Sequence, residues 1–168
     1  MSTQEHKAEA PRAVGLMVIT VSDTRNEETD KSGQLMKSLL TEAGHEVALY
    51  RIVKDEPSEI CAAIEEGVAT TGVDVILING GTGIAKRDTT YEAVSGLLEK
   101  EMPGFGEIFR FLSYTEDIGS AAILSRAIAG TYKDKAIFST PGSTGAVRLA
   151  MTKLILPEIG HVVRELRK

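Results

Sequence analysis

The feature that most restricts the fold of this chain is a regular alternation of short apolar runs with amphipathic helical segments. The runs are rich in β-branched residues, as buried strands are, and they cover Ala13 to Val21, Val73 to Ile78 and Ala136 to Ser139, while His45 to Val53 alternates apolar and polar residues and is predicted as a further strand. Strands that alternate with helices form right-handed βαβ units, with a parallel sheet between two helical layers. The sequence therefore predicts an α/β fold, a single-domain three-layer α/β/α sandwich with a mostly parallel sheet.

Residues that start and stop helices divide the segments between these strands. Gly44 has the position of a residue that ends a helix, and Pro57 has that of a first helical residue. Thr89 and Glu92 have the spacing of a capping box, which predicts another helix start. The remaining predicted helices run from Gly106 to Thr115, from Ser120 to Ala129 and from Ser143 to Leu154, with a break at Pro157 before the last helix.

Length and composition are typical of one globular domain. The 168 residues fit a single domain, and the fractions of 42% hydrophobic and 26% charged residues are ordinary for a soluble protein. Residues 1–12 are polar and are expected to form a disordered N-terminal tail, which leaves residues 13–168 as the domain. The chain has neither a membrane-spanning apolar run nor the apolar centre of a signal peptide. With one cysteine, Cys61, it is expected to be cytoplasmic and to have no membrane partner.

The charge balance restricts the classes of partner. A net charge of −5 is opposite to that of a nucleic-acid-binding surface, so no nucleic-acid partner is predicted. Phosphate-bearing small molecules remain compatible, because backbone N–H groups can hold an anion within an acidic protein. The three histidines, His6, His45 and His161, lack the spacing of zinc ligands, so no zinc site is predicted.

Glycine, hydroxyl and carboxylate residues follow each of the four predicted strands. In an open parallel sheet, ligands bind outside the carboxyl ends of the strands. Ser22 and Asp23 follow the first strand, and Asp55 follows the second. The third strand is followed by a loop from Gly80 to Asp88, and the fourth leads into Ser139, Thr140, Pro141, Gly142 and Ser143. These residue types at one edge favour a site for phosphate and a metal ion.

The glycine loop contributes most to this prediction. Gly80, Gly81 and Gly83 let backbone N–H groups approach an anion, and Thr82 adds a hydroxyl group. The loop is not a Walker A sequence, and it is not a dinucleotide fingerprint because Lys86 stands where glycine or alanine is required. By itself the Gly-Gly-Thr-Gly turn is equally consistent with a ligand loop and with a tight turn.

The longer segment from Gly80 to Asp88 resembles the signature of the MoaB/MogA family of molybdenum-cofactor biosynthesis proteins. Five further segments match the family in order, at residues 21–23, 54–56, 101–107, 123–126 and 141–143. The resemblance covers residues 13 to 166. A helix directly after Pro141 and Gly142 makes the chain more similar to the MoaB branch.

The resemblance implies an enzyme, a molybdopterin adenylyltransferase. It would use ATP as co-substrate and Mg²⁺ as cofactor, with no tightly bound cofactor, and would form adenylyl-molybdopterin and pyrophosphate. Asp55 and Asp88 match the family's two essential carboxylates, which implies a catalytic role and magnesium binding. Because the attacking phosphate is already an anion, such a site must neutralise charge and align the reactants, and it needs no general base.

The resemblance also implies binding residues and partners. The residues implied in binding substrate or nucleotide are Ser22, Asp23, Gly80, Gly81, Thr82, Gly83, Lys86, Arg87, Glu101, Ser139, Pro141, Gly142 and Ser143. The implied partners are molybdopterin, ATP, other molybdenum-cofactor enzymes and further copies of the chain in a trimer or hexamer. A cluster with three of the four phenylalanines gives self-association a physical basis, and it comprises Phe105, Ile108, Phe109, Phe111 and Leu112.

Several of these residues also have a purely structural interpretation. Asp88 could favour a helix N-terminus, Asp55 could be a solvated turn residue, and Ser143 could cap a helix. Arg126 is consistent with either an ion pair or a substrate contact. Three other functions remain open: a catalytically silent molybdopterin-binding paralogue, a generic nucleotide-binding flavodoxin-like module and a non-enzymatic scaffold.

Overall fold

A six-stranded mixed sheet forms the centre of the protein, which a computed structural model describes over residues 2–168. Its strands lie in the order β2-β1-β3-β6-β5-β4, and the first four are parallel while β5 and β4 are antiparallel to their neighbours. In chain order the strands are β1 (Gly15–Val21), β2 (Glu46–Val53), β3 (Val75–Asn79), β4 (Lys100–Glu101), β5 (Ile128–Tyr132) and β6 (Lys135–Thr140).

Helices cover both faces of the sheet and confirm the predicted three-layer sandwich. They are α1 (Thr3–Glu9), α2 (Lys31–Glu42), α3 (Pro57–Ala69), α4 (Thr90–Leu97), α5 (Pro103–Glu116), α6 (Thr144–Ala150) and α7 (Leu156–Leu166), with a 3-10 segment at Gly119–Leu124 and a π-helical segment at Met151–Ile155. Apolar residues of α2, α5, α6 and α7 pack in one core on one face, and those of α3 and α4 pack in a second core on the other.

Successive residues of the central strands point alternately into these two cores. In β1, Leu16 and Val18 belong to the first core, while Met17 and Ile19 belong to the second, and all four are fully buried. Complete burial stabilises each such side chain by about 1.5–3 kcal/mol. A strand covered on both faces has no polar side, which is why these strands appear in the sequence as continuous apolar runs.

The antiparallel edge is the main difference from the predicted fold. The predicted helix from Ser120 to Ala129 is a 3-10 segment followed by β5, and β4 was not predicted. The turn between β5 and β6 uses Lys133 and Asp134 with φ angles of 46° and 64°. Because such hairpin turns normally carry glycine or asparagine, no local sequence signal marked this hairpin.

Two smaller helix predictions are also wrong. The Thr89 hydroxyl group makes no cap hydrogen bond at the start of α4, so the predicted capping box does not form there. The predicted break at Pro157 does not occur, because the π-helical segment joins α6 to α7 without an interruption. A π-helical turn changes the hydrogen-bond spacing just before the proline, which has no N–H to donate.

The N-terminal segment differs from the disordered tail predicted for residues 1–12. Helix α1 packs against α7, and an ion pair of 2.6 Å joins Glu9 to Arg164. Ser2 and Glu5 form a capping box that starts the helix. Because the Glu9 side chain is half-exposed to water, this ion pair contributes at most about 1 kcal/mol to the contact.

Among residues 2–168 we find no helix with the length and apolar character that a membrane crossing requires.

Candidate ligand-binding site

The carboxyl ends of the four parallel strands lie side by side and bring their loops together. In the pairing register, Thr20 of β1 lies opposite Asn79 of β3, and Asn79 lies opposite Thr140 of β6. The residues that follow these positions therefore form one edge of the sheet, as the sequence predicted. This edge carries the candidate site.

The glycine loop after β3 has a backbone that side chains would not allow. Gly80 and Gly81 have φ angles of 102° and 71°, in the left-handed region. A Cβ atom on Gly80 would lie 2.2 Å from the Val21 carbonyl oxygen. One on Gly81 would lie 2.2 Å from the Thr90 hydroxyl oxygen and 2.9 Å from a carboxylate oxygen of Asp55. Both glycines are required by close approach to the neighbouring elements.

This packing predicts a large cost for adding one methyl group to the loop. Gly81→Ala is expected to destabilise the protein by roughly 2–4 kcal/mol, from the left-handed conformation and the crowding of Thr90. Gly96→Ala in α4 is the matched control, because a Cβ atom there meets nothing within 4 Å, and it should be neutral or slightly stabilising. Denaturant unfolding of both variants measures the difference. Equal stabilities would show that the loop relaxes freely.

Asp55 is a buried carboxylate that holds the far end of the loop. It is 6% exposed, and its Oδ1 atom accepts hydrogen bonds from the Thr89 amide at 2.9 Å and the Thr89 hydroxyl at 2.7 Å. Its own amide donates to Asp23 at 3.1 Å. The solvated-turn interpretation of Asp55 is therefore wrong. Since Oδ1 is occupied by Thr89, Oδ2 is the oxygen that lies beside Gly81.

Asp88 is half-buried where two hollows of the site meet. Its Oδ2 atom accepts a hydrogen bond from the Ala85 amide at 3.0 Å, which closes the loop on itself. One hollow, of about 300 Å³, is lined by Gly81, Gly83 and Gly142 among others. The other, of about 430 Å³, is lined by Pro57, Ile84, Ala85, Lys86, Asp88, Thr89, Glu92 and Arg126. Asp88 is the one residue common to the two linings.

Asp23 and Arg87, both predicted to bind ligand, are paired with each other. Arg87 donates from Nη2 to Asp23 Oδ1 at 2.8 Å and from Nε to Oδ2 at 3.0 Å, and it also binds Glu56. These hydrogen bonds from Arg87, with one from the Asp55 amide, hold the pKa of Asp23 below its ordinary value. The pair is exposed, so water screens it and it opens at small cost. Lys86 is exposed and lines the larger hollow.

Arg126 holds the loop from outside and forms the ion pair that was one of its two sequence interpretations. Its guanidinium group donates to the carbonyl oxygens of Gly83 at 2.9 Å and Asp88 at 3.0 Å. It also binds Glu92, which lowers the pKa of that carboxyl group, and lies over the Tyr91 ring. Because these donors are taken by the loop and Glu92, Arg126 shapes the site and also lines the larger hollow.

The loop after β6 forms the opposite wall. A Cβ atom on Gly142 would lie 3.2 Å from the Gly80 Cα atom, so the two glycine backbones are in close contact. Pro141 and Gly142 line the smaller hollow, as predicted. Arg25, which is not one of the predicted site residues, donates to the Gly142 carbonyl oxygen at 2.9 Å. No sequence signal distinguishes Arg25 from a solvated loop arginine.

Three predicted binding serines have structural roles. The Ser143 hydroxyl accepts a hydrogen bond from the Ala146 amide at 3.1 Å, as the N-cap of α6. The Ser22 hydroxyl accepts from the Arg25 amide at 3.1 Å and shapes the loop after β1. Ser139 is fully buried within β6 and does not line either hollow. The predicted strand end at Ser139 is one residue short, since β6 continues to Thr140.

Glu101 is the predicted site residue that the fold places elsewhere. It lies on β4, and β5 and β6 separate that strand from β3. Three strand spacings correspond to about 14 Å. Its side chain is exposed at the sheet edge and lines neither hollow. Glu101 was predicted from the family resemblance alone, and strands β4 and β5, which were not predicted, place it away from the glycine loop.

The fold and this edge define an α/β protein with a ligand site at the carboxyl ends of parallel strands. Residues 17–161 match the family described as "Probable molybdopterin binding domain", and the chain belongs to this family. This confirms the resemblance seen in the sequence.

Similar proteins carry the corresponding names. Over 168 residues the chain is 64% identical to "Molybdenum cofactor biosynthesis protein B" of Bacillus subtilis (strain 168), covering 100% of this chain and 99% of that protein. A crystal structure of a protein of the same name superposes with a TM-score of 0.91 at 62% identity, covering 95% of this chain and 99% of that one. The tungsten cofactor synthesizing protein MoaB from Pyrococcus furiosus gives 0.83 at 38% identity, covering 95% and 100%.

Proposed function

We propose that this protein acts in molybdenum cofactor biosynthesis as a molybdopterin adenylyltransferase. The terminal phosphate oxygen of molybdopterin attacks the α-phosphorus of ATP, the bond to the β-phosphate breaks, and pyrophosphate leaves. The names of the relatives support the pathway. The chemistry rests on one observation, that Asp55 and Asp88 each approach a glycine of the same loop, within 2.9 Å of the Cβ position of Gly81 and 2.7 Å of that of Gly83.

The residues of the loop fit a hydrated magnesium ion. Mg²⁺ takes oxygen ligands and usually combines one or two carboxylates with phosphate and water. The described residues contain no group of three or more metal-ligating side chains, so the protein would supply Asp55 and Asp88 and the substrates the rest. The hydroxyl group of Thr90 lies beside the same Gly81 position as Asp55, and within residues 2–168 it is buried without a hydrogen-bond partner. A bound magnesium ion would neutralise part of the negative charge of the phosphates.

Both substrates share the sheet edge in this proposal. The two hollows meet at Asp88, so ligands in them would face each other across that carboxylate. The N–H groups of the glycine loop would take the most anionic group, and no separate allosteric nucleotide pocket is required. Aligning two anionic reactants at this point supplies the proximity that the reaction needs. Lys86 would help to neutralise them from the rim of the larger hollow.

A direct assay tests this function. Purified protein with magnesium, molybdopterin and ATP labelled at the α-phosphate is expected to form labelled adenylyl-molybdopterin and one pyrophosphate per transfer. Binding of molybdopterin without turnover would identify a catalytically silent paralogue instead. Binding of ATP with no affinity for molybdopterin would identify a generic nucleotide-binding module.

We also propose that the protein is a homo-oligomer, a trimer or a pair of trimers. The apolar cluster predicted to mediate self-association is only partly at the surface, because Phe105 and Phe109 pack in the core. The exposed apolar patch is instead formed by large side chains of α5 and the segment after it, Ile108, Phe111, Tyr114, Ile118, Ile123 and Leu124. Several large exposed apolar side chains within one short stretch of chain are typical of an association site.

The patch predicts a measurable change of mass. Light scattering should give three or six times the chain mass, and Phe111→Glu should shift the protein toward the monomer, since a charge would be buried in the contact. Phe111 is 64% exposed, so the variant should keep the wild-type circular dichroism spectrum. A monomeric wild-type protein at micromolar concentration would refute the proposal.

A further inference from the structure

The carboxylate of Asp30, outside the glycine loop, is buried and accepts hydrogen bonds from three groups. Asp30 is fully buried, and it accepts hydrogen bonds from the Thr20 hydroxyl at 2.6 Å, the Tyr50 hydroxyl at 2.5 Å and the Gly33 amide at 3.0 Å. A buried charge is unfavourable unless it is paired and hydrogen-bonded. Arg25 supplies the opposite charge, with its Nη1 atom 3.6 Å from Asp30 Oδ1.

Capping of α2 explains only part of this arrangement. A helix cap requires the single hydrogen bond from the Gly33 amide. Thr20 and Tyr50 reach Asp30 from β1 and β2, so groups from two strands and one helix are directed at the same carboxylate. Burial raises the pKa of Tyr50, and the hydrogen bond to Asp30 raises it further, which keeps the phenol protonated as a donor.

Arg25 connects this carboxylate to the wall of the site. Its Nη2 atom donates to the Gly142 carbonyl oxygen at 2.9 Å, and its Nη1 atom lies 3.4 Å from the Ser32 hydroxyl oxygen. Ser32 also donates to the carbonyl oxygen of Gly142. One carbonyl group therefore receives two donors, and the charged one forms an ion pair with Asp30 at 3.6 Å.

The position of Gly142 sets the distance between the two walls of the site, which are the glycine loop and the loop after β6. Its backbone is in contact with Gly80, and it lines the smaller hollow with Gly81 and Gly83. At the start of the two walls the Gly80 amide donates to the Thr140 carbonyl oxygen at 3.0 Å, and beyond that point the bonds to the Gly142 carbonyl group hold the loop after β6 in place. A shift of about 1 Å in such a wall is enough to lower a transfer rate a hundredfold.

We infer that Arg25 and Asp30 are positioning residues, Arg25 by holding the Gly142 carbonyl group and Asp30 by orienting Arg25. The inference deepens the proposed function and rests on it for its effect on rate. Neither residue needs to touch the substrates. The cluster acts by keeping the loop after β6 at a fixed distance from the glycine loop.

The test compares arginine variants that differ in one property at a time. Arg25→Met removes the charge and the donors, while Arg25→Lys keeps the charge and lacks the guanidinium fork. Arg51→Met is the matched control, because Arg51 is an exposed arginine of β2 that pairs with Glu66 at the surface and bonds to the backbone carbonyl oxygen of Tyr50 rather than to its hydroxyl group. Tyr50→Phe weakens the hold on Asp30 without removing a buried charge, which avoids the folding risk of changing Asp30 itself.

Two readouts separate positioning from general stability. Hydrogen exchange is followed at the protected amides that bond to residues 140–143, those of Gly80, Ala146 and Val147. Arg25→Met should speed this exchange roughly tenfold and lower kcat about tenfold to a hundredfold, with a smaller change of KM. Arg25→Lys should fall between it and the wild-type protein, Tyr50→Phe should lose about threefold to tenfold in kcat, and Arg51→Met should change neither readout.

The outcomes distinguish this inference from the proposed function. Unchanged exchange at these amides in folded Arg25→Met, or an unchanged kcat in a protein that transfers AMP, would overturn the positioning role. An equal change in Arg51→Met would overturn it as well, since the effect would then not be specific to the wall. A wild-type protein that transfers no AMP would refute the proposed function alone, because the exchange comparison decides the positioning role without turnover.

Discussion

Asp88→Asn is expected to lower the rate of adenylyl transfer by about a hundredfold to a thousandfold, the largest effect of any single change considered. Asparagine keeps the volume and one oxygen, so it can still accept the hydrogen bond from the Ala85 amide that closes the loop. The negative charge between the two hollows is lost, and with it the carboxylate that in the proposed function would bind magnesium. Steady-state kinetics at saturating magnesium measures the change.

The control for this variant is Asp134→Asn, an exposed aspartate in the turn between β5 and β6. Asparagine tolerates the left-handed conformation of that turn, so the control should keep the wild-type rate and melting temperature. The Asp88 variant should keep the wild-type melting temperature within a few degrees. Wild-type turnover by the folded Asp88 variant would remove Asp88 from the mechanism.

Asp55→Asn is expected to lower the rate by about a hundredfold and to raise the magnesium concentration needed for half-maximal activity. The amide oxygen can replace Oδ1 as the acceptor for Thr89. The amide nitrogen then takes the place of the oxygen beside Gly81, where a donor repels a cation. Asp55→Ala should add a loss of stability of about 1–3 kcal/mol, because the half-buried Thr89 donors would lose their acceptor.

A magnesium titration of the rate distinguishes a metal role from a structural one. Asp74→Asn is a suitable control, since Asp74 pairs with Arg167 at the surface, away from the site. Superimposable titrations and equal kcat values for Asp55→Asn and the wild-type protein would make Asp55 a loop anchor only. A lower stability with unchanged kinetics would lead to the same conclusion.

The structure divides the predicted site residues into two groups. Asp55, Asp88 and the glycines lie where the sequence placed them, around one loop at the sheet edge. Ser22 and Ser143 bond to their own loops, and Ser139 lies inside a strand. A serine next to a strand end can cap a helix, form a turn or contact a ligand. The residue type alone does not distinguish these roles.

The parallel part of the sheet and the position of the candidate site could be predicted from the sequence itself. A parallel strand covered on both faces must be apolar along its length, so β1, β3 and β6 are visible as apolar runs. Ligands bind at the carboxyl ends of such strands, so the residues that follow them indicate the site. The left-handed backbone at Gly80 and Gly81 is likewise indicated by the residue type, because only glycine adopts this conformation at little cost in free energy.

Contacts between distant segments were decided only by the tertiary structure. Strand β5 is held by pairing with β6, and the two-residue β4 by pairing with β5, and neither carries a long apolar pattern of its own. Helix α1 forms against α7, and the bond from Arg25 to Gly142 spans 117 positions of the chain. Local sequence patterns indicate the backbone conformation of a residue and whether its side chain is buried. They do not indicate which distant group the residue contacts, because packing of the whole domain determines that partner.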